Sequence, residues 1–597
     1  MRRHADNPAR RSDAGGEVGW LITAGVLVTV LAASAALWVG AIVTGGRPVQ
    51  NPVLFWLEIP AQGYPPGGLI LAIPLLLVLV ALVALVVWTF RPRKGRSRID
   101  TKAYSMARLK DLDVMHGKGA AAEAQRLNAT SATPAGSPIG RLLPGRAELT
   151  VPYEWVQLWI MGPRAGKTSC LCIPQIVSTA GPVVATTNKR DLPDYCRGPR
   201  ATYGHVWVFD PQDIIGEAPE GQPPPWWWNP LSFVTDYPSA VYLAKIFNKA
   251  AGEPDATPDA YFGPTGKRYA ALLMLAAARA QLPITKLTDW LARPTDDEPV
   301  YALRLAGDTA PATQLQGILD LTDKQRDGVV GEAATMLEWL ADPKLARWIT
   351  PPPADTSEPH FDPQQFVRTS QSLFLVSREG EGSARAVTAA LTVATVRAAE
   401  AYASRSPQGR LPLPMTVVLD EAANVVPWPD LPDLYSHFGS RGIMVSTFLQ
   451  SWSQGVDVWR ETGMRKLWSA ANVRGVGAGI ADEKFLAELS NLIGPHDVIR
   501  RDSNTSGGAL FSGAQRSRSV STRVQRETLF EVAELQALPR GRALVLSPGA
   551  PTALVELVHW SSRPDAELIA ASERYATQRL LEAQHARPAP SAQETHP

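Results

Sequence analysis

Residues 155–169 read Trp155-Val156-Gln157-Leu158-Trp159-Ile160-Met161-Gly162-Pro163-Arg164-Ala165-Gly166-Lys167-Thr168-Ser169. An apolar strand over 155–161 runs into a glycine turn, and the apolar stretch Ser169–Val177 predicts a helix with Pro174 as a kink. Strand, glycine loop and helix in this order make a phosphate cradle. Glycines let main-chain N–H groups converge on phosphate oxygens, and the helix start adds its positive dipole end. The segment Gly162, Pro163, Arg164, Ala165, Gly166, Lys167, Thr168 and Ser169 is the predicted nucleotide-binding loop. Lys167 would reach the β- and γ-phosphates, and Thr168 would ligate Mg²⁺. The spacing departs in one place. In G-x-x-x-x-G-K-[ST] the first glycine falls on Met161, and Gly162 stands one position later. Either the first turn tolerates a side chain or the loop is rearranged. A second glycine-lysine pair, Gly263-Pro264-Thr265-Gly266-Lys267, lacks a preceding strand and has Arg268 in place of Ser or Thr, so it reads as a helix start.

The partner signal lies far downstream. Met415-Thr416-Val417-Val418-Leu419-Asp420-Glu421 is an apolar strand ending in two acids. Strands buried on both faces of a parallel sheet read this way, and ligands gather at their carboxyl ends. Asp420 is the predicted second Mg²⁺ ligand, and Glu421 the residue that orients and deprotonates an attacking water. Further strands are predicted at Ser372–Val376 and Ile443–Leu449. The last ends at Gln450, which reads either as a sensor of the γ-phosphate and water or as a surface glutamine. Arg441, ahead of that strand, reads either as a loop arginine or as an arginine finger toward a neighbouring subunit's nucleotide.

Composition bounds the rest. The chain has 597 residues, enough for roughly four domain equivalents by the length prior. Its net charge of +2 gives no global attraction to polyanions, so nucleic-acid contact needs a local patch. Three cysteines, Cys170, Cys172 and Cys196, cannot form a disulfide framework and show no zinc spacing. Residues 20–43 and 69–90 are uncharged and apolar, and about 20 such residues cross a bilayer as a helix. Arg2, Arg3, Arg10 and Arg11 precede the first stretch. Arg91, Arg93, Lys94, Arg96 and Arg98 follow the second, whereas only Arg47 and Glu58 lie between. Positive flanks stay inside, so both termini are expected in the cytoplasm and the chain in the plasma membrane.

Helical patterns at Ala240–Ala250, Tyr269–Gln281, Gln314–Leu321 and Val329–Leu340 suggest an all-α insertion. Residues 499–526 carry Arg500, Arg501, Arg516, Arg518, Arg523 and Arg526 among Ser, Thr and Gly. They read as a solvated surface loop or as a mobile loop on a phosphate backbone. Residues 564–585 look helical, with a disordered tail after Arg587.

Several stretches together resemble type IV coupling proteins of the TraG family. They are Asp420-Glu421-Ala422-Ala423-Asn424, Pro427, Leu431-Pro432-Asp433-Leu434, Ser440-Arg441-Gly442-Ile443 and Leu449-Gln450-Ser451. Val206–Pro211 with Trp228-Asn229-Pro230-Leu231 is similar to that family's second motor strand and turn, and Leu538–Val545 to the motor's tail. The resemblance implies an α/β fold: a RecA-like P-loop motor with an inserted all-α domain, preceded by two transmembrane helices. It implies ATP and Mg²⁺ as cofactors and a homo-hexamer. As partners it implies a relaxase or relaxosome with single-stranded DNA, or effector proteins, and the type IV secretion channel. The alternatives are an FtsK-type DNA translocase and a membrane receptor that binds ATP without pumping. The expected organisation is a cytoplasmic tail (1–19), a span (20–43), an extracytoplasmic loop (44–68), a second span (69–90) and a cytoplasmic linker (91–147). There follow the first part of the motor (148–232), the inserted all-α domain (233–365), the second part of the motor (366–560), and a C-terminal helix and tail (561–597).

Overall fold

The computed structural model describes Ser34, Trp38, Ile42 and residues 97–127, 135–217, 222–252, 261–353, 356–380, 384–506 and 517–586, with 498–506, 517–524 and 586 described by their backbone alone. The tail 1–19, both expected spans apart from those three residues, the loop between them and the tail beyond residue 586 lie outside the described residues. Among the described residues no helix is long and apolar enough to cross a membrane. Residues 97–597 make one compact unit and residues 1–96 another.

The larger unit is built on one mixed sheet. Its strands are β1 (Ser137–Leu143), β2 (Glu148–Val151), β3 (Gln157–Ile160), β4 (Val183–Thr187), β5 (Val206–Phe209), β6 (Ser372–Val376), β7 (Met415–Leu419), β8 (Ile443–Leu449) and β9 (Val473–Gly477). A separate two-stranded ribbon, β10 (Pro495–Ser506) and β11 (Ser517–Thr528), precedes the last two sheet strands, β12 (Arg542–Leu546) and β13 (Ala553–Glu556). The order across the sheet is β2-β1-β13-β12-β9-β3-β8-β7-β4-β6-β5. The seven strands from β9 to β5 are parallel, and the other four extend the sheet antiparallel beyond β9. β3, β4, β6, β7 and β8 are buried at every position, as a sheet covered on both faces requires. Consecutive strands β3 and β4 are separated in space by β8 and β7. The chain leaving β3 and the chain leaving β7 therefore open on one edge of the sheet with β8 between them, the crevice where α/β sheets bind ligands.

The inserted residues are helical as expected. Tyr237–Ala251, Phe262–Arg279, Thr309–Leu319 and Asp323–Leu337 answer to the four predicted patterns. Lys286–Ala292, Glu298–Leu305 and Pro343–Ile349 are additional short helices. Phe262–Arg279 is the core of this layer: Tyr269 through Ala277 are all buried, because helices pack on it from several sides. The second glycine-lysine pair lies in its first turns, a structural helix start. The motor joins this layer through helix Arg385–Arg405, which packs on Tyr237–Ala251 and is buried around most of its circumference.

Three expectations need correction. The linker 91–147 already contains a strand of the main sheet, β1, which pairs with β13 and β2. Val206–Phe209 is the third strand after the cradle has begun, not the second, and forms the sheet's edge. The second is β4, a short run after Gly181-Pro182 ending in Thr186-Thr187, whose two polar residues hide it from a hydropathy reading. The described parts of residues 499–526 are strand and not loop: Pro495–Ser506 pairs antiparallel with Ser517–Thr528, and residues 507–516 lie outside the described residues. The C-terminal helix Ala566–Ala586 packs on Asp191–Ala201, where the Gly198 N–H donates to Ser572 Oγ at 2.9 Å.

Candidate active site

The cradle follows β3 without a break. The Met161 N–H donates to Leu449 O at 3.0 Å, so the strand pairing with β8 runs one residue past Ile160. Met161 has no glycine-only conformation, and its buried side chain lies against Gly477. Of the two readings of the displaced glycine, the structure selects the first: the turn tolerates a side chain that packs into the sheet. Gly162 is required for a different reason. A Cβ there would stand 2.1 Å from Gly479 O, and the Gly162 N–H donates to Ala478 O at 2.9 Å. Gly166 has φ +96°, a backbone that favours glycine. Pro163 and Arg164 are exposed at the tip, and Ala165 is buried.

The helix behind the loop opens irregularly. Thr168–Cys172 is a π-turn, and only Ile173–Val177 is α-helical. The physical reason is Pro174, which has no N–H for the carbonyl four residues back and whose ring would clash with it. The ladder shifts instead, and Ile173 N–H donates to Thr168 O. Cys170 and Cys172 lie on this turn, and burial raises both thiols above their ordinary value, which makes them inert packing.

The predicted residues converge. Lys167 Nζ lies 3.2 Å from Glu421 Oε1 and donates to Met161 O at 3.2 Å. Thr168 Oγ1 donates to Asp420 Oδ2 at 3.0 Å. Gln450 Nε2 donates to Glu421 Oε2 at 2.7 Å, so this glutamine faces the site and not the solvent. Lys167, Asp420 and Glu421 are all buried. Burial pushes the Asp420 carboxyl up to about 6, and the Glu421 charge adds to this, while Lys167 and Thr168 oppose it. Glu421 stands in the left-handed region at φ 54°, a conformation that costs a non-glycine residue on the order of 1 kcal/mol or more. Asn424 and Val425 N–H groups both donate to its carbonyl and hold it there.

The residues fit a divalent cation. Asp420 Oδ1 is buried without a hydrogen-bond partner among the described residues, and Oδ2 shares its proton donor with the cradle through Thr168. Two hard oxygen donors beside a phosphate loop suit Mg²⁺, which binds through one or two protein ligands and the nucleotide's phosphates.

Arg441 does not join them. It precedes β8 at the amino-terminal end of the sheet, opposite the cradle, and donates to Glu400 O at 3.3 Å and to Ser404 Oγ. Within one chain it has no path to the cradle. Sequence reasoning missed four polar residues around the site: Asn188, Glu379, Asn424 and Gln454. Asn424 stands in the Asp420–Asn424 block, but no spacing rule assigns it a partner.

Residues 414–540 match the family model described as the TraM recognition site of TraD and TraG. Among solved structures, the bacterial conjugative coupling protein TrwBΔN70 in an unbound form is 16% identical, with 73% of this chain and 91% of that one covered and a TM-score of 0.47. The plasmid coupling protein TrwB with ADP and Mg²⁺ is 17% identical over 67% and 88%, at 0.38. VirB4 of Thermoanaerobacter pseudethanolicus is 13% identical over 72% and 98%, at 0.39. No curated protein sequence matches. The structural likenesses are too distant to carry chemistry, which rests here on the residues alone. The matched segment holds β7, β8, β9, both acidic residues and Gln450, so the similarity to TraD and TraG lies in the half of the sheet that carries the acidic strand end.

Proposed function

We propose that the chain is an ATP-hydrolysing motor of the coupling-protein type. The observation that supports this best is the convergence of Lys167, Thr168, Asp420, Glu421 and Gln450 at the carboxyl ends of β3, β7 and β8. A protein that only holds nucleotide needs the lysine and the cradle. It does not need a buried carboxylate, kept in a strained conformation, with an amide donor on one oxygen and an ammonium on the other. Lys167 and the loop Gly162–Ser169 would bind the phosphates, and Thr168 and Asp420 would hold Mg²⁺, which supplies charge neutralisation when bound. Glu421 orients and deprotonates water, and Gln450 fixes the carboxylate's direction.

On this reading the motor hands a relaxase-bound DNA strand, or effector proteins, to a type IV secretion channel. It works as a membrane-anchored homo-hexamer whose spans are residues 20–43 and 69–90. Arg441 would complete a neighbour's site. The match to a segment described by TraM recognition supports a conjugation partner on this half of the motor.

The test is steady-state ATP hydrolysis by the full chain, with and without single-stranded DNA. Glu421→Gln is expected to lower turnover about 10²–10³-fold with nucleotide binding retained. Binding without turnover in the unaltered chain would instead make it a nucleotide-gated receptor. Turnover unchanged in Glu421→Gln would remove that residue from the chemistry.

A further inference from the structure

A chain of amides runs away from Gln450 and ties together four strand ends. The Gln450 main-chain N–H donates to Gln454 Oε1 at 2.9 Å. Gln454 Nε2 donates to Asn424 Oδ1 at 3.1 Å. Asn424 Nδ2 donates to Glu379 Oε1 at 2.7 Å, and Asn188 Nδ2 donates to the same oxygen at 2.5 Å. Asn188 follows β4, Glu379 follows β6, Asn424 follows β7 and Gln454 lies in the first turn after β8.

The direction of this chain is fixed by its two ends. A carboxylate only accepts, so Asn424 must turn its NH₂ toward Glu379 and its oxygen toward Gln454. A main-chain N–H only donates, so Gln454 must turn its oxygen toward Gln450 and its NH₂ toward Asn424. Every amide in between is thereby oriented without freedom to flip. Gln454 is held at its own main chain as well, since its N–H donates to the Ser451 side chain at 3.1 Å, and the Asn424 N–H donates to Glu421 O at 2.9 Å. The segment that carries Gln450 and the segment that carries Glu421 are each pinned, and pinned to one another.

We propose that Asn424 and Gln454 are positioning residues for hydrolysis, with Glu379 as their anchor: together they fix the Gln450 main chain so that its side-chain amide stays on Glu421. The inference rests on the assignment of Glu421 and Gln450 to the attacking water. The residues make no contact with substrate in this role, so their effect is expected on the rate of the step and not on nucleotide affinity.

The polarity of the chain supplies the test. Asn424→Asp sets a carboxylate against Glu379, two acceptors with no proton between them. Adding Glu379→Gln returns a donor: the glutamine NH₂ takes the place of the shared oxygen, donates one proton to Asp at 424 and offers the other to Asn188, whose amide turns its oxygen inward to accept it. In the full chain, Asn424→Asp is expected to lower kcat about tenfold with KM for ATP changed less than about twofold, and the double variant to recover to within about threefold of the original. Glu379→Gln alone keeps an acceptor for both asparagines and is expected to stay within about twofold. An unchanged kcat in Asn424→Asp, a loss confined to KM, or a double variant no better than the single one overturns the proposal. Hydrogen exchange of the peptide over Gln450 gives an independent reading. It is expected to quicken in Asn424→Asp and to slow again in the double variant, and equal exchange in all three overturns the relay. If the unaltered chain shows no turnover, the proposed function falls, and the exchange measurement alone decides whether the relay exists.

Discussion

At the amino-terminal ends of β4 and β6 the Arg200 guanidinium is fully buried and donates to Ser372 Oγ at 2.7 Å, Gly181 O at 2.9 Å, Ser370 O at 2.8 Å and Thr179 O. At the carboxyl end of β7 the Asp420 carboxylate is as deeply buried, yet one of its oxygens has no partner among the described residues. Both charges pay for desolvation, and both are pulled toward neutrality: Arg200 down to about 10 and Asp420 up to about 6. The outcome differs. Arg200 stays charged at neutral pH and spends its donors on the carbonyls and the hydroxyl where the strands begin. Asp420 sits beside a second carboxylate and keeps an acceptor in reserve. A buried charge with its bonding capacity filled by its own chain holds architecture together. One left partly unfilled beside a phosphate loop is placed for something that arrives from outside.

The contrast can be broken most easily at Arg200. Arg200→Met keeps apolar bulk but strands three carbonyls and a serine hydroxyl in the interior. The expected loss of folding stability is about 3–5 kcal/mol, read from the shift of a denaturant midpoint. A loss under about 1 kcal/mol would show that those oxygens find other donors, and the architectural half of the comparison would fail.

Asp420→Asn should move stability the other way. The carboxyl of the folded chain holds its proton up to about 6, against 3.8 for the ordinary group. Such a raised value favours the fold below 3.8, and that contribution is lost as pH rises through 6. Near neutral pH, without nucleotide or Mg²⁺, the asparagine variant is therefore expected to be more stable by on the order of 2–3 kcal/mol, with the gain vanishing on acidification below the ordinary carboxylate range. The same variant is expected to lose Mg²⁺-dependent hydrolysis. A variant that is less stable at neutral pH would mean that the ionised carboxylate is already well accommodated.

The cradle and the acidic strand end were legible in the sequence because each is local. The glycines and the Gly166-Lys167-Thr168 triplet form one contiguous stretch, the apolar run ending in Asp420-Glu421 forms another, and the chemistry of each follows from residue type. What joins them is not local. Gln450 reaches Glu421 only because β8 inserts between β3 and β7, a sheet order that no hydropathy pattern encodes. Glu379 and Asn424 meet across 45 residues of chain for the same reason. The left-handed Glu421 was equally hidden, since propensity places that conformation on glycine or asparagine. The ribbon β10–β11 was hidden by its own composition: Ser, Thr, Arg and Gly read as loop, although Thr522, Val520, Val524 and Ile499 alternate well enough for paired strands.

Arg441 tests the comparison at its weakest point, because it belongs to the architectural end by position and to the chemical end by expectation. It donates to Glu400 O at 3.3 Å and to Ser404 Oγ, its guanidinium lies 3.9 Å from the Glu400 carboxylate, and it remains partly exposed. As architecture it is worth little: Arg441→Ala is expected to cost no more than about 1 kcal/mol, as exposed ion pairs do. As chemistry it can act only on another copy of the chain. Mixing separates the two roles. A chain carrying Arg441→Ala keeps its own cradle, and a chain carrying Lys167→Ala keeps its own arginine. If Arg441 reaches across a subunit boundary, each variant alone is nearly inactive, and the mixture regains hydrolysis at sites where an intact cradle meets an intact arginine. If the mixture is no more active than the sum of its parts, Arg441 belongs wholly to the architectural end, and its bonds to Glu400 and Ser404 are its entire function.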